Sequence, residues 1–209
     1  MAEWQADHDL LLCRNGISRG RTREDRRMEL RGVDELMDLL HGRRGGVPAP
    51  QRRRDGPDRP PGTRPDPHAH ALRTAALLRR GRPADKELQV AGLVHTLGQL
   101  LRPGEDTEDT DLAADAVRPL LGDRVAHLVR LHALGPDHLV RLHAGGWVDA
   151  GLVEDVLTLR QAGEAGRSAG LDTGDPEDWR TVLELVADRA DRAERARQVG
   201  ASAHHLPGA

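Results

Sequence analysis

The chain has 209 residues, enough for one domain with or without a sizeable tail. Its formal net charge of −3 and pI of about 6.4 argue against the usual basic type of nucleic-acid-binding protein. A single cysteine, Cys13, excludes an intramolecular disulfide and is typical of a reducing compartment. Neither a signal peptide nor an apolar stretch of about 18 residues is recognisable, so we expect a cytoplasmic protein that does not enter a membrane.

The first predicted helix covers residues 29–41 and places Val33, Leu36, Met37 and Leu40 on one face. Residues 42–67 are rich in Gly, Pro and Arg and have little to bury, which favours a disordered linker. Its arginines suggest a weaker hypothesis, contact with RNA or phosphates, although such composition usually forms a solvated segment. We therefore predict an N-terminal region over 1–67 that consists of one helix and a linker.

From residue 68 onward the pattern is helical throughout. The last predicted helix begins at "DPEDW", where Asp175 is suited to the N-cap, Pro176 to the first turn and Asp178 to the reciprocal capping bond. Beyond Asp188 that helix becomes polar and should project into solvent. The earlier helices are predicted over 68–80, over 85–101, from a cap at Asp109 or Thr110, over 123–133 and over 149–162. Alternating strand patterns are missing, so we predict an all-α domain over 68–200 with a tail at 201–209.

Three histidines fall on the apolar helices at inward positions: His70, His95 and His132. A single core histidine is more often a hydrogen-bonded residue than a metal ligand. Three of them on separate helices each need a partner, however, and a shared cation would satisfy all three. Neutral imidazole is a suitable ligand for Zn, Fe or Mn.

The stretch "HALRTAALLRRGRPADKELQVAGLVHTLGQLL", residues 70–101, resembles the HD-domain superfamily of helical metalloproteins. That family has a histidine followed about twenty-five residues later by a His-Asp pair, and here His70 and His95 are 25 apart with "HTLG" in place of "HDLG". "HALRTA" is most similar to the branch of inositol and phosphonate-degrading oxygenases. The likeness continues through "ADAVRPLLGDRVAHLVRLH" to His132, a usual ligand position, and weakly through "LTLRQAGEAGR", residues 157–167.

Several family residues are replaced in this chain. Thr96 stands where the aspartate of the pair would ligate metal, and Gly163, followed by Glu164, stands where the last aspartate would be. The histidine expected near the third helix is missing from "EDTEDTD", residues 105–111, and Gln99 replaces a lysine that often contacts substrate. A dinuclear centre would need a bridging carboxylate, which Thr96 cannot supply.

Two outcomes follow from this resemblance. Either the metal site is lost, or one divalent metal (Fe, Mn or Zn) binds through the three histidines and a shifted carboxylate, for which the candidates are Asp106, Glu108, Asp109 and Glu164. The resemblance implies a degenerate, phosphohydrolase-like protein with weakened or lost activity and, if active, a small phosphorylated or polyol substrate. Arg73 or Arg130 could then meet substrate anions, although a surface position is the more usual interpretation of both. The alternatives are a non-catalytic helical binding module and an iron-dependent oxygenase of the inositol or phosphonate type.

Overall fold

The computed structural model describes residues 29–42, 66–101, 110–168 and 173–203, and these ranges are helical with no strand among them. The predicted all-α class is therefore confirmed. The acidic residues Asp106, Glu108 and Asp109, like the linker over 43–65, lie outside the described residues. The helices are α1 (Val33–Leu40), α2 (Pro67–Gly81), α3 (Lys86–Val94), α4 (Leu97–Leu101), α5 (Thr110–Leu131), α6 (Pro136–Ala144), α7 (Ala150–Gly166), a 3₁₀ turn (Pro176–Trp179) and α8 (Arg180–Ala203).

Helix α3 lies at the centre of the fold, and every residue from Leu88 to Val94 is buried. It packs against α2, α5, α7 and α8. Gly92 makes the contact with α2 close, since a Cβ there would lie 2.5 Å from Leu78 Cδ1 and 3.3 Å from Ala75 Cα. Helices α2 and α3 form an antiparallel pair, and this contact brings the beginning of α2 beside the end of α3.

Helix α5 is two arms joined by a kink at Gly122, whose φ of 85° and ψ of 174° lie in a region that essentially only glycine adopts. The buried Arg130 of the second arm connects the arms, because it donates to Asp111 at 2.8 Å and to Asp115 at 2.6 Å on the first. The two helices predicted from the sequence before and after residue 122 correspond to these arms.

The helix predicted over 85–101 is interrupted, which corrects the sequence-based expectation. Helix α3 ends at Val94, residues His95 and Thr96 form a turn, and α4 begins at Leu97. The His95 ring donates its Nδ1–H to the Gly92 carbonyl oxygen at 2.8 Å. The ring therefore satisfies one of the carbonyl oxygens in the last turn of α3, which lack an intrahelical partner at a helix end.

Helix α6 was not predicted. It buries only Leu139 and Leu142, so its apolar pattern is too short to be recognised by periodicity. Local signals were present in Pro136 at the start of the helix and Asp137 in its first turn.

Several helix ends follow directly from local sequence. Asp85 and Asp149 cap α3 and α7 by accepting backbone N–H groups three residues later. The predicted capping box is confirmed, since Asp175 accepts from the Glu177 N–H and Asp178 accepts from the Asp175 N–H. Residues 191–200 of α8 are exposed, as its polar sequence predicts.

The N-terminal helix belongs to the same core as the rest of the described chain. Its apolar face contributes buried residues to the central cluster, and the Leu30 N–H donates to the Ala116 carbonyl oxygen at 3.0 Å. The His68 ring donates its Nδ1–H to the Leu40 carbonyl oxygen at 2.9 Å and so joins the end of α1 to the start of α2. The buried side chains of α1 are Leu36, Met37, Leu39 and Leu40. No helix in the described ranges combines the length and the apolar character needed to cross a membrane.

Candidate histidine site

The structure brings the three predicted histidines together. His70 lies in the first turns of α2, His95 in the turn after α3, and His132 directly after the second arm of α5. The ring centroids of His70 and His95 are 5.1 Å apart, and those of His95 and His132 are 5.3 Å apart. All three residues are buried or nearly so, with exposed fractions of 7–9 %.

Hydrogen bonds to the backbone determine the tautomers of two of these rings. His95 donates Nδ1–H to the Gly92 carbonyl oxygen, and His132 donates Nδ1–H to the Val129 carbonyl oxygen at 2.6 Å. A carbonyl oxygen only accepts, so in the neutral ring the proton is on Nδ1 and the lone pair is on Nε2. This is the arrangement that most metal-binding histidines show, and it equally suits a ring that accepts a hydrogen bond from a ligand.

His95 is neutral throughout the physiological range. Burial lowers its pKa from 6.5 to about 3, and the neighbouring His132 adds to the effect. The hydrogen bond to Gly92 opposes the shift, while His70 and the positive charge of Arg167 reinforce it. The site therefore favours an uncharged imidazole at its centre.

The three histidines line one side of a cavity of about 180 Å³ that opens to solvent. This volume holds roughly six water molecules at about 30 Å³ each and is smaller than the pockets that take drug-sized ligands. Residues of α7 and its C-cap line the same cavity. The lining residues are His70, His95, His132, Ala133, Leu159, Arg160, Gly163, Glu164 and Arg167.

Thr96 and Gly163, the positions at which the resemblance would place aspartates, differ in their surroundings. Thr96 is buried and its hydroxyl donates to the Pro67 carbonyl oxygen at 3.4 Å, away from the cavity lining. Gly163 lines the cavity, and a Cβ placed there would meet none of the described atoms outside its own helix backbone within 4 Å. Glu164 also lines the cavity, and its side chain is 63 % exposed.

The cationic residues of the cavity are not those expected from the sequence. Arg73 donates to the Gly166 carbonyl oxygen at 2.6 Å, Arg130 is buried between two aspartates, and neither is among the residues that line the cavity. Arg160 and Arg167 line the cavity instead. Both lie in "LTLRQAGEAGR", three residues before and four after Gly163, which are neighbouring positions on a helix surface.

The donor atoms partly fit a single divalent metal ion. Two imidazoles bound to one zinc ion at about 2.0–2.1 Å have ring centroids roughly 5 Å apart, close to the separations here. Within the described ranges, however, no set of three or more His, Cys, Asp or Glu side chains is arranged to hold a metal ion. The rings supply suitable nitrogen donors, but among the described lining residues Glu164 is the only carboxylate that could offset the charge of a dication.

Comparison with known proteins gives no family assignment. No protein-family model matches the chain, and no curated protein matches it. The helical fold and the convergence of the histidines are therefore the observations on which a function can be proposed.

Proposed function

We propose that this chain is a degenerate HD-domain protein, in which the histidine pocket is retained and phosphohydrolase chemistry is weakened or lost. The observation that carries the proposal is the convergence of His70, His95 and His132, which come from three separate helical segments, on one cavity. The resemblance of residues 70–132 to the superfamily predicts this convergence.

Loss of activity follows from the missing acids. Hydrolysis of a phosphate ester in this superfamily depends on bound metal, which activates water and neutralises developing charge. In this chain His70, His95 and His132 would hold at most one cation, with Glu164 as the only carboxylate among the described lining residues. An exposed carboxylate on a flexible side chain orients a metal poorly, so we expect weak metal binding and little turnover.

Room at Gly163 supports the ancestry of the pocket. This is the position at which the family's last aspartate would fall, and it faces the cavity with space for a side chain. A pocket that once held a carboxylate here would be expected to keep such a space after substitution by glycine. The Gly163→Asp variant therefore restores a family ligand with little steric cost.

The test measures metal binding by wild type, His95→Ala and Gly163→Asp, with elemental analysis and calorimetric titration of Mn²⁺ and Zn²⁺. We expect at most one weakly bound equivalent in wild type, none in His95→Ala, and binding tightened by about tenfold or more in Gly163→Asp. Ala165→Asp is the matched control, because it adds the same charge to an exposed position of the same helix and should change nothing.

The activity arm uses p-nitrophenyl phosphate with excess Mn²⁺. We expect wild type to stay close to the rate without enzyme. Rapid wild-type turnover would contradict the loss of catalysis. Failure of Gly163→Asp to gain metal, or metal binding that is unchanged in His95→Ala, would contradict the HD-type pocket itself.

A second candidate is a non-catalytic module that binds a small molecule in the same pocket. The specific observation in its favour is the pair of arginines, Arg160 and Arg167, that line the cavity together with the histidines. Two guanidinium groups against one carboxylate make the cavity unfavourable for a dication and favourable for an anion. Binding of a small anion without any metal-dependent turnover would support this candidate.

A further inference from the structure

Arg167 is a cation at the cavity that lacks a counter-ion among the described residues. Its neighbour Arg160 is already engaged, since it donates to the Leu134 carbonyl oxygen and lies 3.8 Å from the Glu164 carboxylate. The Arg167 side chain makes no hydrogen bond or ion pair with any part of the chain that the structure describes, and it lines the cavity. A guanidinium group in this position can bind the oxygen atoms of an anion with two parallel hydrogen bonds.

The backbone beneath Arg167 is held firmly. Arg73 donates to the Gly166 carbonyl oxygen at 2.6 Å, which joins the end of α7 to the helix that carries His70. Gly166 makes the approach possible, since a Cβ there would lie 3.1 Å from Thr74 Oγ1 and 3.3 Å from the Thr74 backbone nitrogen. Arg167 therefore starts from a fixed position relative to the histidines, which reduces the cost of ordering its side chain on a ligand.

His95, which lines the same cavity as Arg167, offers a hydrogen-bond acceptor and not a further cation. His95 donates its Nδ1–H to the Gly92 carbonyl oxygen. Nε2 of the neutral ring therefore has a lone pair that can accept a hydrogen bond from a ligand hydroxyl. A ligand that fits both groups has unprotonated oxygens for the guanidinium and one hydroxyl for the imidazole. Phosphate near neutral pH has both, whereas sulfate has no proton to donate.

We infer that the cavity binds a small protonated oxyanion of the monohydrogen phosphate type without a metal, with Arg167 binding the charged oxygens and His95 accepting the hydroxyl proton in a hydrogen bond. The inference deepens the proposed function, because it uses the same pocket, but it replaces the metal by a guanidinium group. The cavity volume of about 180 Å³ accommodates such an anion together with some water.

The experiment is calorimetric titration of inorganic phosphate and of sulfate into the full-length protein in the presence of EDTA. We expect phosphate to bind and sulfate to bind at least about tenfold more weakly, because sulfate would leave the imidazole acceptor unsatisfied. Methyl phosphate dianion, which has no hydroxyl, should resemble sulfate and distinguishes the free anion from a phosphate ester.

Two arginine variants test whether Arg167 binds the phosphate. Arg167→Gln should weaken phosphate binding by about tenfold or more, since it removes a charged donor. Arg195→Gln is the matched control, because Arg195 is an exposed arginine of α8 paired with Asp191 and should leave binding unchanged. Arg167 is itself exposed, so its replacement should leave the fold intact, which circular dichroism would check.

The outcomes separate this inference from the proposed function. Phosphate binding that vanishes in EDTA, that equals sulfate binding, or that is unchanged in Arg167→Gln would overturn the inference. Failure of Gly163→Asp to gain metal would instead contradict the HD-type ancestry and leave metal-free phosphate binding standing. In Gly163→Asp the added carboxylate should also repel phosphate, so metal binding and phosphate binding should change in opposite directions.

Discussion

His95 combines a structural and a candidate functional role in one side chain. Its ring donates to the Gly92 carbonyl oxygen near the end of α3 and also lies close to His70 and His132 at the cavity. Because burial holds it neutral, the ring is an acceptor at Nε2 for either a metal ion or a hydroxyl. Because His95 binds a proton more readily in the unfolded chain than in the folded protein, acid favours unfolding.

We predict a loss of stability in acid that can be assigned to His95. Its pKa is 6.5 in the unfolded chain and about 3 in the folded one, so its contribution is complete above pH 6.5 and is lost as the pH falls through this window. At about pH 5 the loss relative to neutral pH is roughly 2 kcal/mol, from about 1.4 kcal/mol per unit. Urea unfolding of wild type and His95→Gln at both pH values measures it.

The difference between the two proteins reports His95 together with its coupling to His70 and His132, because the remaining titrating residues are common to both. His95→Gln keeps a hydrogen-bond donor but does not titrate, so its free energy of unfolding should fall less in acid. His143→Gln, at an exposed histidine of α6, should behave as wild type. Equal acid sensitivity in wild type and His95→Gln would contradict a buried neutral imidazole.

At the scale of elements, the kink in α5 determines where His132 lies. The second arm must turn back at Gly122 so that its end reaches the cavity, and the bonds from Arg130 to Asp111 and Asp115 hold the arms together. Arg124 then fixes the second arm to its neighbours, because it forms ion pairs with Asp85 of the α3 cap and Asp155 of α7. The position of one ligand candidate thus depends on a glycine ten residues earlier.

We predict that Gly122→Ala destabilises the protein by about 1–3 kcal/mol, because the observed φ and ψ strain any residue with a Cβ. The added Cβ would also lie 3.2 Å from the Ala190 Cβ of α8. Gly135→Ala is the control, since Gly135 has a φ of −66° and open space around it. Thermal and urea unfolding measure both variants. A cost at Gly122 no larger than that at Gly135 would show that the kink does not require glycine.

At the scale of the whole molecule, α1 is part of the same hydrophobic core as the helices after the linker. The sequence places it in a separate N-terminal region, before a linker with almost no apolar residues. In the structure it buries Leu36 and Met37 in the central cluster and contacts α8, and Arg180 of α8 pairs with Asp34 at 2.6 Å. The two parts of the chain therefore share one hydrophobic core.

We predict that Leu36→Ala lowers the free energy of unfolding by about 3 kcal/mol, since it removes a fully buried side chain and leaves a cavity. Leu185→Ala, at a position of α8 that is 50 % exposed, should change stability by no more than about 0.5 kcal/mol. A single unfolding transition should move as a whole in Leu36→Ala. A small separate transition for α1, with the main one unchanged, would contradict a shared core.

Local sequence determined much of this fold. Helices with long apolar stripes were predictable because their period of 3.6 residues is a property of the chain itself. Ends capped by Asp175 and Asp178 were predictable because the bonds span only three residues. Helix α6 was missed because it buries only two residues, and the break at His95 was missed because the apolar pattern continues through it. The histidines of the candidate site were predictable, because they fall at inward positions of apolar helices and two of them are 25 residues apart. Its arginines were not.

Tertiary structure alone decided the charge of the cavity. The sequence of a helix does not determine which arginine pairs with a carboxylate and which lines a pocket. That choice depends on how the helix is rotated about its axis, and packing against other elements sets the rotation. Arg130 was thus buried between aspartates and Arg167 placed beside the histidines. By itself the sequence determined the helical class, most helix positions and the three histidines, since these depend on short-range pattern. Only the folded chain decided which groups face one another, because that depends on contacts between residues far apart in sequence.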